Sequence, residues 1–399
     1  MPHEVLTPNE QEVGNESEII TQALSNPIGT ETFEDFSRSA DKLLVLVNDA
    51  TRPTPTAQIL EKLQDTLREH TDLKFLVATG SHRAPTDKEL RAIFGDLYDE
   101  FKDRVFIHDA RKDEDMVYLG ESTLKTPIYL NRLVTEMRNI LVIGSVEPHY
   151  FAGYTGGRKA FLPGVASYQT IETNHKHALC DGARTLALEG NPVAEDMNDA
   201  MKVLKDMNVF SIQSVLTGDH SLYAMTTGDL IKSFDAATAK ANDVFGVRCR
   251  RKGNIVLTAA PYPMDIDLYQ SQKALENGKL ALEKGGVIIM ASKCREGVGE
   301  DTFLELLGSA STCEEVMAEI AKKYKLGYHK AAKIAQIGTW ARMWAVSDLD
   351  DETLKRSKLE PQPGIQKAFD RAIALIRSQD KEPYAVIMPQ GSLTIPLIE

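Results

Sequence analysis

The chain has 399 residues, 42% of them hydrophobic and 26% charged, which is the composition of a soluble globular protein long enough for two domains. With 58 acidic against 46 basic residues its net charge is −12, which argues against nucleic acid or an anionic membrane as partner, although local Arg and Lys can still reverse the field inside a cleft. Four scattered cysteines without CxxC spacing offer no zinc ribbon or disulfide framework and suit a reducing compartment.

The opening "MPHEVLTPNEQEVGNES" has no signal-peptide core, and no apolar run approaches the roughly 18 residues that cross a bilayer, so the expected location is the cytoplasm. "KLLVLVND" (42–49) reads as a buried strand, and "PTAQILEKLQDTLREH" (55–70) follows with apolar residues at helical spacing. "LKFLVATGSHR" (73–83) is again strand into loop, and "TDKELRAIFG" (86–95) again helix. "RVFIHDA" (104–110) and "NILVIGSVEPH" (139–149) repeat the strand-to-loop step. Buried strands alternating with helices imply βαβ units and a mostly parallel sheet, with ligands beyond the carboxyl ends of the strands.

Polar clusters stand at those ends. In "NDATRPTPT" (48–56), Asp49 and Arg52 read either as a helix cap with a surface arginine or as an arginine fork for a carboxylate or phosphate, oriented by the aspartate. His82 in "ATGSHRAPT" is an exposed loop histidine or a catalytic one.

"EPHYFAGYTGGRKAFLPG" (147–164) is the most unusual stretch. Its glycines, Gly156 and Gly157 among them, let backbone approach a ligand with N–H groups available to phosphate. It is neither a Walker loop, since Lys159 precedes Ala160, nor GxGxxG. Four aromatic residues argue against a merely solvated basic loop.

"SYQTIETNHKHAL" (167–179) reads as a helix with Ser167 as N-cap. His175 and His177 point to different sides and cannot chelate one metal together. From pattern alone His175 is an exposed helix histidine or a single imidazole ligand. Asn191 and Pro192 read as a helix boundary.

A second domain starts near "RCRRKGNIVLTAAPYP" (248–263). "DLYQSQKALENGKLAL" (267–282) is a helix capped by Asp267, and it puts Gln270 and Lys273 on one face. They are solvated polar residues or a clamp on a ligand between the domains. "GGVIIMASKCREGVG" (285–299) is strand into Gly-rich loop, and the pattern continues through "AKIAQIG" (332–338) and "YAVIMPQG" (384–391). The expected fold class is α/β: two α/β domains, 1–247 and 248–399, with mostly parallel sheets and an interdomain active-site cleft, the last strand being free to return to the N-terminal domain.

"DATRP", "GSHR", the long central motif, "TIETNH" and "YQSQK" occur in an order that resembles the nickel-pincer lactate racemase family, over roughly 45–300. That family places a lysine ten residues after its second histidine and a metal-binding histidine sixteen beyond, as His149, Lys159 and His175 do here.

The resemblance implies an isomerase: a racemase or epimerase that inverts C2 of a 2-hydroxy acid by reversible hydride transfer to a nickel-pincer nucleotide. Lys159 would tether that cofactor covalently, with Tyr269, Gly156 and Gly157 beside it and His175 on the nickel. His82 and His149 would be the acid/base pair, with Asp49 next to them. Arg52, Gln270 and Lys273 would hold the substrate. Proteins that build the cofactor are implied as partners.

Removing hydrogen as hydride avoids a dianionic carbanion beside a carboxylate, and inversion wants two imidazoles on opposite faces. Lactate, malate, longer aliphatic, aromatic and sugar acids all remain open, with Lys293 or Arg295 in reach of a second carboxylate. Two other readings stand beside this one: a nucleotide- or phosphate-handling enzyme that uses the Gly-rich loop without nickel, and a two-domain protein that captures carboxylates.

Overall fold

The computed structural model describes residues 1–399, and the chain is α/β with mostly parallel sheets. It divides into two compact units: Gln11–Val244, and Met1–Glu10 together with Phe245–Glu399. The sequence puts the boundary at 247/248 and carries no sign that the first ten residues belong with the C-terminal unit.

In the N-terminal unit six strands lie in the order Leu222–Gly228, Asn208–Leu216, Asn139–Ser145, Lys42–Asn48, Asp72–Ala78, Val105–Ile107. All neighbours are parallel except the first pair. The central strands are apolar on both faces because helices and loops cover both. Leu43, Leu44, Val45, Leu46 and Val47 are all buried, each worth about 1.5–3 kcal/mol. The helix Thr56–Arg68 lays Ile59, Leu60, Leu63 and Leu67 onto this sheet at spacings of three and four. Thr86 closes a capping box with Glu89 at the start of Asp87–Phe94. Parallel order puts the carboxyl ends of Lys42–Asn48, Asp72–Ala78 and Asn139–Ser145 on one edge. Asp49, His82 and His149 follow those three ends.

In the C-terminal unit the order is His3–Val5, Ala385–Met388, Gly253–Ala259, Leu282–Ala291, Arg342–Val346, Glu360–Pro361, all parallel. Its core joins Ile255, Val287, Ile289 and Trp344 of the strands to Ala368, Ala372 and Ile376 of the helix Ile365–Arg377. The closing strand, Ile395–Ile398, pairs with Gly246–Cys249 inside this same unit.

One apolar run differs from the sequence reading. Residues 332–338 lie within the helix His329–Gly338, and the strand is the following Arg342–Val346. Alanine, lysine and glutamine around the isoleucines favour helix, while "RMWAV" has the β-branched and aromatic character of a strand. No helix is long and apolar enough to cross a membrane.

Candidate active site

Asp49 opens the turn after Lys42–Asn48 and is 6% exposed. Its Oδ1 accepts the Thr51 N–H at 3.1 Å and the Thr51 hydroxyl at 2.6 Å. Its Oδ2 lies 2.7 Å from His82 Nδ1. Burial pushes the carboxyl pKa up, but the hydrogen bonds from His82 and Thr51 and the His82 charge outweigh it, so the net shift is downward from 3.8. An ionised carboxylate only accepts, so His82 Nδ1 carries the proton and Nε2 is left as the basic nitrogen. The His82 side chain is half exposed, open to a substrate.

Arg52, in the same turn, reaches Glu147 Oε1 with Nη1 at 3.4 Å, each side chain about a third exposed. It is a paired but accessible guanidinium.

His149 follows Glu147 and Pro148 in a short antiparallel pairing with Gly153–Tyr154. Its Nδ1 accepts the Ala152 N–H at 3.3 Å, so the neutral ring carries its proton on Nε2. The two imidazoles are thus held in opposite senses, His82 with a basic Nε2 and His149 with an acidic one.

Phe151 ties the rest together. Its ring stands edge-on to His149 at 4.5 Å and to His175 at 5.0 Å, and Lys159 Nζ lies 5.8 Å from its centre. Lys159 rides on the turn Gly157–Ala160, and Gly80 N–H to Gly164 O at 2.9 Å joins that loop to the segment bearing His82. Part of the Lys159 side chain is open to solvent. The protein around it is still dense enough that desolvation, helped by the charges of Arg52 and Arg158, drives its pKa well below 10.5. Its ammonium form is thereby disfavoured relative to that of an exposed lysine.

The glycines act otherwise than as a phosphate cradle. Gly156 has φ +79° and ψ −177°, a conformation open essentially to glycine alone. The Gly157 N–H is taken by Gln213 Oε1 at 2.9 Å, and the Lys159 N–H by Gly156 O at 3.0 Å. Arg158 is 1% exposed, bonds Ala152 O through Nη2 at 3.1 Å and stacks 4.8 Å over Phe234. Burial takes its pKa down to about 10. The Gly157 and Lys159 amides are therefore spent on holding the loop, which counts against nucleotide handling through them, while Arg158 Nε and Nη1 are buried without a hydrogen-bond partner.

His175 is 8% exposed on the inner face of Tyr168–Lys176, whose N-cap is Ser167. The exposed-histidine reading is thereby replaced by a buried one. No group of three or more His, Cys, Asp or Glu is arranged to hold a metal, so a metal at His175 must take its other ligands from a non-protein group. That donor set and the desolvated Lys159 amine both fit a lysine-tethered, metal-bearing cofactor.

Tyr269, Gln270 and Lys273 lie in the first turns of Leu268–Gly278, capped by Asp267 as its sequence position suggests, in the C-terminal unit. Lys330 Nζ sits 3.3 Å from the centre of the Tyr269 ring, a neighbour that sequence gave no reason to single out. Arg295 pairs through Nε with Asp265 at 3.2 Å and, like Arg52, keeps about a third of its side chain exposed. Lys293 is exposed. The residues that sequence reasoning missed are Phe151 as hub and Glu147 as the partner of Arg52. The aromatic density of the motif was the only signal of the first.

Residues 2–186 match the family model for the lactate racemase N-terminal domain, and 248–395 that for the lactate racemase C-terminal domain. The lactate racemase of Thermoanaerobacterium thermosaccharolyticum is 32% identical over 314 residues, covering 77% of this chain and 73% of that protein. The lactate racemase of Lactiplantibacillus plantarum is 29% identical over 390 residues, covering 94% and 90%. The solved lactate racemase apoprotein from T. thermosaccharolyticum superposes with a TM-score of 0.87 at 29% identity, covering 98% of this chain and 94% of that one. A Thermotoga maritima protein of 18% identity and TM-score 0.63 shares the fold. With both domain models matched in order across most of its length, the chain belongs to the lactate racemase family and is an isomerase of the racemase kind.

Proposed function

We propose that this racemase acts at C2 of a 2-hydroxy carboxylic acid, and that Lys159 and His175 hold a nickel-pincer nucleotide. When bound, that group supplies a hydride acceptor, the chemistry that C2–H cleavage beside a carboxylate calls for.

The other roles fall to the chain itself. His82, backed by the Asp49 carboxylate, takes the hydroxyl proton at Nε2. His149 presents a proton at Nε2. Opposite starting states in two imidazoles suit a reaction run equally in both directions. Arg52 exchanges Glu147 for the substrate carboxylate, and Gln270 and Lys273 of the C-terminal unit are further substrate contacts. Tyr269 belongs with the cofactor, and Gly156 and Gly157 serve it by shaping the loop that carries Lys159. The relatives are named for lactate, so a short 2-hydroxy acid is the first substrate to try.

The observation that carries this reading is the grouping of Lys159, His149 and His175 around one aromatic ring. The test is production alongside the cofactor-building proteins, then intact-protein mass and chiral chromatography of enantiopure 2-hydroxy acids. The wild type should carry a covalent adduct and racemise at least one acid, while Lys159→Ala should lose both. Full racemisation by Lys159→Ala would refute the assignment.

A further inference from the structure

His175 has a buried polar network behind it that the racemase chemistry does not itself require. Its Nδ1 lies 3.1 Å from Asn174 Oδ1. The Asn174 amide nitrogen donates to Asp196 Oδ2 at 2.8 Å and to the Val193 carbonyl at 3.3 Å. Asp196, on the helix Pro192–Ala200, also accepts from the Thr126 hydroxyl at 2.7 Å and from the Ser122 hydroxyl. Asn174, Thr126 and Asp196 are all wholly buried.

The donor and acceptor count fixes the direction of every bond. An Asp196 carboxylate that takes three donors acts as acceptor, so Asn174 must turn its NH2 toward it. Val193 O takes the other amide hydrogen, so Oδ1 is the atom left facing His175. A carbonyl oxygen cannot donate, hence the His175 proton sits on Nδ1 and the lone pair on Nε2. A flip of the Asn174 amide would set its oxygen against the Asp196 carboxylate in a dry site, two acceptors facing each other with no hydrogen between them.

We propose that Asn174 and Asp196 are positioning residues that lock His175 in its Nδ1–H tautomer, with Nε2 as the only nitrogen able to bind the metal. This rests on the reading of His175 as a nickel ligand. Groups behind a ligating imidazole of this kind typically govern metal affinity by about 10–100-fold.

The direct readout is the His175 tautomer in cofactor-free protein, from the 15N shifts and long-range couplings of its ring, assigned with His175→Gln. Wild type should show Nδ1–H. Asn174→Leu should lose that preference, and nickel release from the loaded protein under chelator challenge should speed up by about 10–100-fold. Asp196→Asn leaves Asn174 and its Val193 bond in place but removes the acceptor-only partner that fixes the amide's orientation. It should weaken the Nδ1–H preference too, which a merely structural role for Asn174 does not predict, and it serves if Asn174→Leu folds poorly. An Nε2–H wild type, or an unchanged tautomer in Asn174→Leu, overturns the proposal. Undiminished nickel retention in His175→Ala overturns instead the ligand reading beneath it.

Discussion

Asp49 stays ionised although it is buried, because three donors face it. Its folded pKa lies below 3.8, so its contribution to stability is complete above that value and is lost as pH falls through the folded one. Asp49→Asn keeps the shape of the turn but offers His82 an amide in place of a charge. The expected result is a fall in kcat of about 10²-fold, the lower end of what acid–base catalysis contributes, with KM little changed. Steady-state kinetics in both directions check it, and a drop confined to KM would contradict the role. Lys159 runs the opposite way. Its folded pKa lies far below 10.5, so the penalty for burying an ammonium is full below the folded pKa and vanishes as pH rises to 10.5. Without cofactor, Lys159→Met should therefore be more stable than wild type at neutral pH, and the gain should shrink as the medium becomes alkaline. Thermal melts of both proteins over that pH range measure it.

At the level of elements, the loop that carries Lys159 depends on the backbone of Gly156. A Cβ there would come within 2.5 Å of Val146 Cγ2 and 2.6 Å of Gln213 Oε1. Gly156→Ala should cost about 1–3 kcal/mol from conformation alone and as much again from overpacking. Chemical denaturation reads the loss, and intact mass should show less cofactor attached to Lys159. The glycines of this motif were visible in the sequence, but their use was not. They serve to pin the loop under Val146 and Phe234 rather than to open amides to phosphate, and which side of a loop faces protein has no periodicity to read. The strands Lys42–Asn48, Asp72–Ala78 and Asn139–Ser145 were legible because a short unbroken apolar run that ends in a polar turn suits a strand covered on both faces. With them came Asp49, His82 and His149, since chemistry on a parallel sheet collects at its carboxyl ends. The sequence places His175 on the right helix but does not show its burial. Phe151 packs on its ring at 5.0 Å and the helix Pro192–Ala200 packs against its own helix, and such tertiary contacts leave no local trace.

At the scale of the whole chain, the least legible feature is that its first ten residues complete the sheet built from its last hundred and fifty. The strand His3–Val5 is too short and too polar to announce itself, yet it pairs in parallel with Ala385–Met388, three partners in register. Glu4 adds side-chain anchorage, accepting the Tyr384 hydroxyl at 3.1 Å and the Arg250 N–H at 3.2 Å. Leu6, 2% exposed, continues the ladder by donating its N–H to Ile387 O at 2.8 Å. Without these residues Ala385–Met388 becomes an open edge, and an edge strand with unpaired amides invites fraying and pairing with other chains. A chain lacking residues 1–10 should therefore lose amide-exchange protection in Ala385–Met388 first and in Gly253–Ala259 next. Lys42–Asn48 and Asn139–Ser145 should keep theirs, because none of their ladder bonds involves the missing segment. Exchange measured by mass spectrometry on peptides from both sheets separates the outcomes. Equal loss of protection in the two would mean that the units unfold as one cooperative block, and that the amino-terminal strand supports the whole molecule rather than the sheet it joins.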